Sequence, residues 1–139
     1  MADEFSIDNS KKEFLWDLRA RRENFIAGLI DQSIFYRTNN DYYKTFQLLK
    51  ILFDYSCHMY LDKRGNENLK KEYDEKIKNI NALAEKYENT WTKKNVDKNE
   101  DGIINDALAE LTWFLIQNIE NAGGFGSRRK DATDYSAYR

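Results

Sequence analysis

No proline occurs among the 139 residues of this chain, and only six glycines do, four of them after residue 101. Proline ends helices by removing an amide donor and clashing with the preceding turn, and glycine weakens them through backbone entropy. A chain of one-domain length with so few of either is free to run long helices, so an all-α fold is expected. The remaining questions are where the helices start and stop, and which way they face.

Ser10-Lys11-Lys12-Glu13 is a capping box, in which hydroxyl and carboxylate each satisfy a free amide at a helix start. Phe14, Leu18, Phe25 and Leu29, with the parallel row Leu15, Ile26 and Ile30, follow at helical spacing, so a first helix is predicted over about Lys11–Tyr36. The stretch Arg37 to Asp41 breaks it, with Asn39 or Asn40 as the expected cap of a second helix. That helix carries Tyr43, Phe46, Leu49, Leu52, Phe53, Cys57 and Tyr60 on a wide apolar arc and stops at Gly65.

A third helix, from Glu67 to Lys94, has only a narrow seam. Tyr73, Ile77, Ile80, Ala84, Tyr87 and Trp91 repeat by alternating fours and threes among Lys, Glu, Asp and Asn. Such a seam suits an outer helix or a partner contact, with Trp91 partly exposed at a frayed end. In the fourth, Ile103 to Asn121, the stripe Ile104, Leu108, Leu111, Leu115 and Ile119 is widened by Trp113, Phe114 and Ile116. Leu49 and Leu111 are expected in the core. The expected architecture is an antiparallel bundle of about four helices over residues 1–121, followed by a non-helical tail over 122–139.

One stretch resembles a chemical signature. In Asp97 to Asp106, DKNEDGIIND, the residues Asp97, Asn99, Asp101, Gly102 and Ile104 match positions 1, 3, 5, 6 and 8 of an EF-hand or dockerin calcium loop, and Asn105 suits position 9. Position 12, which must supply a bidentate carboxylate, is Leu108. At most a weak calcium site held by Asp97, Asn99, Asp101 and Asn105 would result. Asp, Asn and Gly are also what a helix-to-helix turn selects, and a structural turn is the expected reading.

Other chemistry is sparse. Cys57-His58 could suggest a nucleophile or a metal ligand, but there is a single His and a single Cys, and zinc needs three or four ligands. No Gly-rich phosphate loop follows a strand, and the carboxylates of the third helix alternate with lysines as on a solvated face. Neither an enzyme nor a cofactor is expected. No run approaches the ~20 apolar residues that span a bilayer, and the acidic N-terminus lacks the pattern of a signal peptide. One cysteine fits a reducing compartment, so a cytoplasmic protein is expected.

Partners are the remaining lead. The formal net charge of −2 implies no global basic field, and Glu13, Asp17 and Glu23 interleave with Arg19, Arg21 and Arg22 on the first helix. The tail is more distinctive. Arg128, Arg129 and Lys130 sit near Phe125, Tyr135 and Tyr138, a composition that anchors a peptide on a protein surface. The same residues could hold phosphates and stack bases, so a nucleic-acid-binding or regulatory role is the alternative. Small, Lys/Asn-rich, proline-free helical proteins with adhesive tails resemble virion components of phages and other viruses, such as head–tail connectors. That resemblance implies a homo- or hetero-oligomeric structural protein found in host cytoplasm and virion.

Overall fold

A computed structural model describes residues 21–58 and 67–122. It is all-α: α1 covers 21–38, α2 Tyr42–Ser56, α3 Glu67–Lys86, α4 Glu88–Trp91 and α5 Lys98–Asn121, and no strand occurs among the described residues. The bundle expected from the periodicity is the fold observed. Helix α5 lies at its centre, packed against α2, α3 and α4. Helix α1 joins the same core through Ile26, Ile30 and Ile34. Leu49 and Leu111 are fully buried, as their positions in the stripes required.

The α1–α2 turn shows how local chemistry sets this geometry. Asn40 takes a left-handed conformation, φ 60°. Its amide reaches the Arg37 carbonyl at 3.0 Å, and the Asp41 amide reaches the Tyr36 carbonyl at 2.8 Å. This pair of bonds closes a helix around a left-handed residue, a role that Asn tolerates better than most. Asn40 therefore ends α1, and Asp41 caps α2 by accepting from the Lys44 amide at 3.2 Å. The cap expected at Asn39 or Asn40 sits one residue later. Helix α1 also runs two residues past the predicted Tyr36.

The third predicted helix is two. At Tyr87, φ −113° and ψ 44° break the run, and the short α4 follows before the chain turns at Thr92 and Lys93. Lys93 is left-handed, φ 64°, and its ammonium donates to the Asn39 carbonyl at 3.0 Å, tying this turn to the α1–α2 turn. The break turns Trp91 toward α2, with its ring 5.9 Å from those of Tyr42 and Phe46. Trp91 is half-buried, as expected for a seam end, but Trp113 is half-buried too. On α3 the buried seam is Leu69, Tyr73 and Ile80, and Leu83, which the heptad reading passed over, packs against the core beside Ile77. The predicted stop of the second helix at Gly65 lies outside the described residues.

Candidate functional site

Asp97 opens the last described helix. Its backbone is extended, and its carboxylate accepts from the amides of Asn99 at 2.9 Å and Glu100 at 3.1 Å. It is the N-cap of α5, so the helix starts at Lys98 rather than at Ile103. The cap is reinforced by Thr90, whose buried hydroxyl accepts from the Asp97 amide at 3.1 Å and donates to Glu100 Oε1 at 2.7 Å. Asp97 and Glu100 have the spacing of a capping box, but the reciprocal bond is relayed through Thr90.

With residues 98–106 helical, the remaining ligand candidates cannot wrap around one centre. Asn99 and Asp101 are rotated by about 200° from one another on the helix. Asp101 accepts from the buried Tyr42 hydroxyl, and Asn105 Oδ1 accepts from Arg37 Nη1 at 3.2 Å. Gly102 sits within a helical turn. The stretch expected as a helix-to-helix turn is instead the start of α5: Asp97 caps, Asp101 and Asn105 tie α5 to the α1–α2 turn, and Leu108 packs in the core. Among the described residues no three His, Cys, Asp or Glu side chains cluster so as to hold a metal ion.

These contacts place the α1–α2 turn beside the start of α5. The opposite end of the bundle holds the first described turns of α1 and the end of α2, where the Phe25 and Tyr55 rings meet at 4.7 Å. Cys57 is half-buried and His58 exposed just beyond Ser56. Nearby, Tyr73 stacks on Phe53 with ring centroids 3.5 Å apart. Burial raises the Tyr73 pKa above its ordinary 10.0, and the neighbouring Asp54, Asp74 and Cys57 push it the same way.

Sequence reasoning missed Arg37, which is buried although it is charged. Burial lowers its pKa, and the nearby Asp106 acts in the opposite direction. The clue was available, since Arg37 lies two helical turns beyond Ile30 on the apolar face of α1. Glu23, read as one of the acidic residues interleaved with the first-helix arginines, is buried as well.

The surface features that remain are apolar. Phe25, Phe35, Tyr43 and Ile51, on α1 or α2, are between 48% and 61% exposed, and Val96 and Ile103, before and on α5, are 52% and 44% exposed. Leu48 and Tyr55, half-buried, extend the Phe25–Ile51 patch along α2. The depression on α3 lined by Lys70, Lys71, Lys78, Glu67, Asp74 and Glu75 is a charge-balanced, solvated face. Of the first-helix arginines, Arg21 is exposed and Arg22 half-buried. Arg19 and the tail residues Phe125, Arg128, Arg129, Lys130, Tyr135 and Tyr138 lie outside the described residues. No helix among those described is long and apolar enough to cross a membrane. Comparison with family models, curated proteins and solved structures finds no match to this chain.

Proposed function

We propose that this chain is a non-enzymatic helical interaction protein, a scaffold whose surface and C-terminal tail dock on neighbouring protein subunits. The observation that carries the reading is the placement of four half-exposed or more exposed large apolar residues, Phe25, Phe35, Tyr43 and Ile51, on α1 and α2. Each exposed apolar side chain loses unfavourable hydration when a partner covers it. Asp97, Asp101, Glu100 and Thr90 cap or cross-link helices. The tail supplies a second anchor through Phe125, Arg128, Arg129, Lys130, Tyr135 and Tyr138. A virion component such as a phage connector is the specific form of this reading that the sequence style favours.

The test is a chain truncated after Asn121, assayed beside the full chain against the components that co-purify with the protein from its native source. The truncated chain is expected to keep its helical signal and Tm while losing partner binding. Tyr135→Ala with Tyr138→Ala should reproduce much of that loss, and added salt little of it. Full binding by the truncated chain removes the tail from the reading. Binding that falls steeply with salt transfers the tail to nucleic acid, because released counterions give phosphate contacts that signature.

A further inference from the structure

We propose that the outer face of α1 is a self-association surface, on which α1 of a second copy packs antiparallel and crosses at Gly28. The inference deepens the interaction reading above by naming one partner, and its test is separable from the tail.

Arg21, Phe25, Gly28, Gln32 and Phe35 are spaced 4, 3, 4 and 3 residues apart, which places them on one stripe of α1. That stripe faces away from the core residues Ile26, Ile30 and Ile34. Two of its members are among the most exposed large apolar residues described, Phe25 at 48% and Phe35 at 60%. Between them lies a glycine in mid-helix, where glycine weakens a helix relative to alanine. Nothing among the described residues requires it. A Cβ built at Gly28 meets no atom within 4 Å, and the residue is not left-handed. A helix arriving from outside would require it, since a missing side chain lets two backbones approach closely between flanking large residues.

The stripe is complementary to itself. In an antiparallel pairing centred on Gly28, Arg21 of one copy falls opposite Phe35 of the other, one turn from Asp31, and the twofold repeats the contact at the other end. A guanidinium there meets an aromatic face and a carboxylate together. Asn24 falls opposite Gln32, so two amides face one another. Phe25, three residues from Gly28, falls opposite Asp31 in this register and continues into Ile51 and Tyr55 on α2.

Sedimentation velocity on the full chain, from about 1 to about 100 μM, should show a concentration-dependent dimer in the affinity range of a modest homodimer. Gly28→Glu places a bulky charge at the crossing and is a better helix former, so self-association should weaken by about 30-fold or more while the Tm of the monomer does not fall. In a Cys57→Ser background, Gly28→Cys should form a disulfide-linked dimer under mild oxidation, whereas Lys71→Cys on α3 should not. A chain that stays monomeric throughout, a Gly28→Glu variant that dimerises like the parent, or equal cross-linking at both cysteines would each overturn the proposal. A dimer that survives Gly28→Glu but dissolves on removal of residues 123–139 overturns it too, while leaving the interaction reading in place.

Discussion

Leu111→Ala tests whether α5 is the centre of the bundle. The Leu111 side chain has no exposed surface and sits on the helix that packs against α2 on one side and α3 on another. Removing three carbons forfeits about 2.4 kcal/mol of transfer free energy, at about 0.8 kcal/mol per carbon. Helices held on several sides cannot collapse fully into the gap. A residual cavity of about 60 Å³ adds about 1.5 kcal/mol at 24 cal/mol per Å³. The sum, about 4 kcal/mol, is a large part of the 5–15 kcal/mol that typically stabilises a domain. At roughly 3–5 °C per kcal/mol for a chain of this size, the Tm should fall by more than about 10 °C. Urea titration followed by circular dichroism is the suitable assay, because an unchanged slope with a lower midpoint isolates stability from changes in compactness. Gln117→Ala, at an exposed position of the same helix, should stay within about 0.5 kcal/mol of the parent. A loss below about 1 kcal/mol for Leu111→Ala, or one matched by Gln117→Ala, would refute a central α5.

Three further outcomes follow from particular contacts. Asp97→Ala should cost about 1 kcal/mol through loss of the cap, and 1 mM calcium should leave the parent's Tm unchanged; a site with Kd near 10 μM would add about 2.7 kcal/mol, so a calcium-specific rise abolished by Asp97→Ala would restore the metal reading. Tyr42→Phe removes the hydroxyl that Asp101 accepts from and should cost about 1–3 kcal/mol in chemical denaturation; a neutral result would mean that water replaces the bond without penalty. Because the folded state holds the Tyr73 proton more tightly than the unfolded chain does, its contribution is complete below pH 10 and is lost as pH rises above that, with a slope of at most about 1.4 kcal/mol per pH unit. Tyr73→Phe should flatten the alkaline limb of the stability profile, and identical limbs for parent and variant would contradict a buried phenol.

Periodicity alone determined most of the fold. The stripes through Leu49, Leu111 and Leu115 predict burial because a helix repeats every 3.6 residues whatever lies around it, and an apolar face must be covered. The absence of proline left nothing to interrupt those stripes. Tertiary structure decided what depends on residues far apart in the chain. Asp97 to Asp106 reads equally as a loop or a helix start, and Thr90, seven residues before Asp97, supplies the buried hydroxyl that joins the Asp97 amide to Glu100. Tyr87 carries no sequence signal for a break. The third helix ends there and places Trp91 against Tyr42 and Phe46, more than forty residues earlier in the chain. Arg37 is the clearest case. Alone it is a surface cation, but at the end of α1 its guanidinium is enclosed by the arriving α5 and meets Asn105. A local pattern can specify which face of a helix is apolar, whereas the identity of the group that will meet a polar atom on that face is fixed only when the helices pack.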